Sequence, residues 1–199
     1  MTRRDLRLIA AGAALTILSA GLYAQAAGEP TVYTLTWQFQ FTGPKAVIKT
    51  WRLGSKELVE QTNPPGPGND RSETTRIMYD LDTKESLRWN PLDLSAPCVR
   101  SQALPPGWLD PFGAGPDLAM KDVAHVGHEK ILGIDAIILE SRKDPDTIKK
   151  LWVDPRTGLM LRAQFISKQL GGVLTYLEVT EFSLAPPPAS IFEIPERCR

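Results

Sequence analysis

A chain of 199 residues with 23 basic and 23 acidic side chains has no net charge at neutral pH. That balance excludes the strongly basic surface that non-specific nucleic-acid binding needs, and no long basic run exists to hold an anionic membrane. An apolar share of 42% is enough to build one core in a single domain.

The first 26 residues read as a secretory signal. Met1 to Arg7 is a short basic head, Leu8 to Leu18 is uncharged and mostly apolar, and Ala24-Gln25-Ala26 is a small-x-small cleavage pattern. The apolar run is too short to span a bilayer. Removing residues 1–26 leaves 173 of the 199 residues and takes away Arg3, Arg4, Arg7 and Asp5, so 20 basic and 22 acidic groups remain. Residues 27–199 are expected to form one periplasmic domain with no transmembrane anchor. No cysteine lies near the cleavage site to carry a lipid.

The first strand is the clearest element. Tyr33, Leu35, Trp37, Phe39 and Phe41 alternate with Thr34, Thr36, Gln38 and Gln40, the period of a half-buried strand with an aromatic inner face. Thr42-Gly43-Pro44 turns the chain into a second strand over 46–53, which carries Trp51, and 58–61 is a short third. After a Pro/Gly loop at 63–69, residues 74–80 and 86–89 form a hairpin about Asp82-Thr83-Lys84-Glu85. Prolines at 105, 106, 111 and 116 forbid a long helix or central strand in the middle of the chain. A short helix over 117–123 follows. Strands resume at 123–129, 135–142, 148–153, 159–167 and 172–183, with Asp154-Pro155-Arg156-Thr157-Gly158 as a turn. Pro186-Pro187-Pro188 ends the last of these, and Ile191 to Pro195 is predicted as a final extended edge. Nine or ten strands with little helix predict a mainly β fold, a curved antiparallel sheet.

Three groups of residues are candidates for function. The stripe Tyr33, Leu35, Trp37, Phe39 and Phe41, with Trp51 beside it, is either plain core or core that also walls a ligand cavity. Trp108, Leu109 and Phe112 in the central loop either pin that loop or form a flap or docking patch. Cys98 and Cys198 are expected to pair as a disulfide in an oxidising compartment, the competing reading being a reactive or metal-binding thiol pair. His125 and His128 stand three apart on a strand, so their rings are expected on opposite faces, and no metal or other cofactor is predicted. No nucleophile elbow, zinc-protease helix or phosphate-cradling loop occurs, and no enzyme activity is expected.

Leu151-Trp152-Val153-Asp154-Pro155-Arg156-Thr157-Gly158-Leu159-Met160-Leu161-Arg162 resembles a hairpin of the LolA/LolB-like outer-membrane lipoprotein-sorting superfamily, which includes RseB. Met78-Tyr79-Asp80-Leu81-Asp82, the segment 127–138 and Ile191-Phe192-Glu193-Ile194-Pro195 are similar to other segments of that group, and the likeness covers roughly residues 74–196. The resemblance implies an unclosed half-barrel around an apolar cavity. It implies a protein that binds a lipid, lipoprotein acyl chains or another apolar ligand. Its alternative is an envelope protein-interaction or stress-sensor module. Unlike the carriers, the mature chain enters its first strand with no preceding helix.

Overall fold

The computed structural model describes residues 30–40, 44–66, 70–106, 111–112, 123–144, 146–167 and 171–199. The signal segment 1–26, Phe41, Trp108, Leu109 and the expected helix up to residue 122 lie outside the described residues.

Eleven strands form one antiparallel sheet. They are β1 (Val32–Phe39), β2 (Ala46–Leu53), β3 (Lys56–Asn63), β4 (Glu73–Asp80), β5 (Glu85–Trp89), β6 (Val99–Gln102), β7 (Val123–Ile131), β8 (Ile134–Asp144), β9 (Thr147–Val153), β10 (Met160–Ser167) and β11 (Gly172–Ser183). Their spatial order is β6-β5-β4-β3-β2-β1-β11-β10-β9-β8-β7. Two meanders of sequential hairpins are thus joined where β1 pairs with β11. The two free edges, β6 and β7, do not meet, so the sheet is a half-barrel and not a closed barrel.

The alternation of β1 sets the inner face. Tyr33, Leu35 and Trp37 are at most 1% exposed and belong to a core cluster drawing on every strand except β5 and β6. Pairing carries that face across the sheet: Trp37 lies opposite Ile48, Leu35 opposite Thr50, and Thr50 opposite Val59. A smaller cluster occupies the outer face of β3 to β5. It contains Leu58, Met78, Leu87, Trp89, Phe192 and Cys198, with Trp51 packed against it.

The hairpin over 151–162 is held by its turn. Asp154 is fully buried and accepts hydrogen bonds from Arg156 N (3.0 Å) and from Thr157 Oγ1 (2.9 Å), while Gly158 N donates to the Asp154 carbonyl (2.9 Å). Gly158 adopts φ +76°, a left-handed conformation that suits glycine. Trp152, between Leu151 and Val153 in the alternation, donates its indole N–H to Glu129 (2.6 Å) and lies under the Arg162 guanidinium.

Two expectations are corrected. Residues 191–195 are not a strand: Ala189–Phe192 and Glu196–Cys198 are 3-10 turns. Three prolines take the chain off the sheet edge, and the apolar side chains read as a strand period cap the outer cluster instead. The strand β6 was not expected from the sequence, because Val-Arg-Ser-Gln has no apolar alternation and all four residues are exposed.

A buried polar group lies on the inner face. Tyr33 donates its hydroxyl to Glu57 (3.1 Å), and Glu57 lies opposite Tyr79 across β3 and β4. Burial, and then the Glu57 charge, raise the Tyr79 phenol above its ordinary value. The fold therefore favours the neutral phenol. Its stabilisation is complete below the ordinary tyrosine value of about 10 and is lost as pH rises through the higher folded value. Melting temperature is expected to fall more steeply above about pH 10 than below it, and Tyr79→Phe should flatten that alkaline limb in a thermal titration.

Candidate functional site

The residues singled out from the sequence divide between the two faces. Tyr33, Leu35 and Trp37 are sealed within the chain's own side chains. Phe39 is half-buried and meets Trp37 edge-on at 5.9 Å. Phe112 packs on Tyr33 with ring centroids 5.1 Å apart, is 8% exposed, and is held by its neighbour, since Met160 N donates to the Pro111 carbonyl. At Phe112, therefore, the central loop is pinned to the inner core. Trp51 does not join this group. It lies opposite Thr34 and Leu58, on the other face. A period-two count within one strand cannot say which face of the next strand matches it, because one residue of register reverses the assignment.

Within this packed face are two polar atoms, Trp37 Nε1 and Thr50 Oγ1, that are buried and have no hydrogen-bond partner among the described residues. Such groups cost about 1–3 kcal/mol each when unsatisfied.

A hollow lined by described residues lies on the outer face. A groove of about 410 Å³ runs beside β4, β5 and β6 and under the C-terminal segment. Met78 and Leu87, paired across β4 and β5, form its apolar floor, and Phe192 and Ile194 its wall. Lys56, Asp80, Glu85 and Arg100 give the rim two charges of each sign. The backbone N–H of Thr83, foremost, holds the Asp80 carboxyl below its ordinary value, so it is charged at neutral pH.

The wall is built by long-range constraints. Cys98 and Cys198 form a disulfide across 100 residues of sequence, as expected. Arg197 donates to the carbonyls of Asn90, Leu94 and Ala96, and Arg100 donates to that of Cys198. These bonds anchor the segment 189–199 over a sheet face it does not pair with. Sequence reading missed the groove because its members come from β3, β4, β5, β6 and the C-terminus, and none stands out alone. The two cysteines were the one sequence signal that these regions meet.

The histidines require a further correction. A β-bulge places His125 opposite Leu139 and Gly127 opposite Ile138, so Val126 is an extra residue in β7. That residue restores His125 and His128 to one face, with ring centroids 4.7 Å apart and planes at 86°. Strict alternation would have separated them.

The sequence matches no family profile and no curated protein. Solved structures do resemble the fold. MucB in the MucA/MucB complex of Pseudomonas aeruginosa overlaps with a TM-score of 0.57 at 18% identity, covering 91% of this chain and 62% of that one. A second structure of MucB, in complex with MucA(peri), gives 0.50 at 16%, covering 92% and 59%. The chain thus spans about three fifths of MucB. A LolA superfamily protein from Nitrosomonas europaea overlaps more loosely, with a TM-score of 0.34 at 16% identity over 89% of this chain and 97% of that one. The half-barrel fold is shared with MucB. Among the described residues no helix is long and apolar enough to cross a membrane.

Proposed function

We propose that the chain is an exported, non-catalytic binding protein of the cell envelope, and that its outer groove receives an apolar segment of a protein partner. The observation that carries this reading is the division of the two faces. The inner stripe is filled by the chain's own core, whereas the groove offers an apolar floor inside a mixed-charge rim. Apolar burial there supplies affinity, and the rim charges orient the bound segment. The MucB structures that share the fold were solved with a protein, MucA, which supports a protein partner here.

A photo-crosslinking residue at Ile194, on the groove wall, tests the reading in cells. It is expected to trap a protein, whereas the same residue at Gln164 on β10 is not. Ile194→Asp, at a half-buried wall position, should abolish capture of that protein by a probe at Gln102, and should lower the melting temperature by only a few degrees. Equal capture from Ile194 and Gln164 would count against the groove.

The two orphaned polar atoms favour a second reading, in which the inner face opens to admit a lipid or acyl chain with a polar group beside Trp37 and Thr50. Native mass spectrometry separates the two. A co-purifying lipid supports the inner face, and apo protein or a protein complex supports the groove.

A further inference from the structure

The bulge in β7 assembles donor atoms that the sequence spacing would have scattered. We infer that His125, His128 and the Gly127 carbonyl form a surface site for a divalent transition-metal ion, of which Cu²⁺ is the best fit. Three observations meet at this point.

The rings have the separation that a shared ion demands. An imidazole bound through one nitrogen at about 2.0–2.1 Å places its ring centroid about 3.2 Å from the metal. Two such rings at roughly right angles would stand about 4.5 Å apart, against the 4.7 Å found here. The nearly perpendicular planes also let each ring approach without stacking on the other. A third donor is already in place. His125 Nε2 donates a hydrogen bond to the Gly127 carbonyl oxygen at 2.9 Å, so an ion that replaces the imidazole proton there finds that oxygen beside it. Finally, the backbone that creates the geometry is specific. Val126 is the inserted residue, and Gly127 has φ +159°, so both the ring positions and the carbonyl direction follow from one bulge. Bulges commonly serve to re-aim side chains in this way.

Two imidazoles and a carbonyl are the donor set of a tetragonal N,N,O site. Among first-row divalent ions at such donors, copper binds most tightly. Both histidines are exposed on an edge strand, so water or a partner's side chain completes the coordination. The site lies on a different strand from every residue that lines the groove, and it stands independently of the proposed function.

The experiment is a Cu²⁺ titration of the full mature protein, read by electron paramagnetic resonance, with His125→Gln, His128→Gln and the double variant alongside. Since both positions are exposed, the variants should fold and melt as the parent does. Any copper held by the terminal amine is common to all four proteins. The parent is expected to bind one additional equivalent, with hyperfine structure from two imidazole nitrogens. Each single variant should bind it at least about tenfold more weakly, a loss of roughly 1.4 kcal/mol. Deleting Val126 should have the same effect, by returning the rings to opposite faces. A parent that binds copper no better than the double variant overturns the site. So does a single histidine variant that keeps full affinity.

Discussion

Trp37→Asp is expected to yield no folded protein. The indole is fully buried at the centre of the inner cluster, opposite Ile48 on one side and Val179 on the other. Removing a tryptophan of this kind costs about 3–5 kcal/mol in packing alone. Aspartate adds the burial of a carboxyl with no partner, a further several kcal/mol. The sum approaches the whole stability of a typical domain, about 5–15 kcal/mol. The expected result is loss of the cooperative thermal transition and accumulation in the insoluble fraction. Trp37→Phe is the informative companion. It removes the orphaned N–H as well as part of the ring, so its packing loss is partly offset, and it should still fold. A soluble Trp37→Asp protein with the parent's melting temperature would show that this face is not the core.

Breaking the disulfide is expected to have the second largest effect. The bridge closes a loop with a sequence separation of 100, for which the chain-entropy estimate is about 4–5 kcal/mol. Cys98→Ser and Cys198→Ser should therefore each lower the denaturation midpoint substantially. The change should also be local. With the tether gone, the segment 189–199 retains Phe192 in the outer cluster and the three carbonyl bonds of Arg197. Hydrogen exchange should therefore accelerate most at residues 189–199 and around Val99–Gln102, beyond the global effect seen in the β8 to β11 hairpins. Exchange that accelerates by the same factor everywhere, with no excess at residues 189–199, would mean that the bridge acts through the unfolded chain alone and does not hold the groove wall. Double Cys→Ala replacement should match either single variant, because each single change already removes the whole cross-link.

The two variants probe opposite sides of one sheet, and that two-sidedness explains a partial failure of sequence reading. Tyr33, Leu35 and Trp37 announced a buried face because a polar residue separates each from the next. Trp51 looked like an addition to the same wall. Its pairing with Thr34 instead puts it behind the sheet, among residues that cover the outer cluster. The histidines failed in the reverse sense. Alternation separated them, and a single extra residue in β7 brought them back together. Ile191 to Pro195 failed for a third reason. Apolar side chains at every second or third position serve equally for an edge strand and for a 3-10 turn laid on a core, and five residues are too few to distinguish these periods.

Local sequence was sufficient wherever neighbouring residues carried the whole instruction. The alternating strands, the Asp154-to-Gly158 turn, the proline stops and the number of cysteines available to pair all depend on backbone preference and side-chain period within a few positions. Each of these is legible in the residues themselves. Tertiary structure alone decided which face each strand turned inward, where the hollow lay, and which side chains met across it. Those outcomes depend on register, on bulges and on contacts between residues about 100 positions apart. A shift of one residue in pairing reverses a face while leaving the local pattern unchanged, so no reading confined to single strands contains that information.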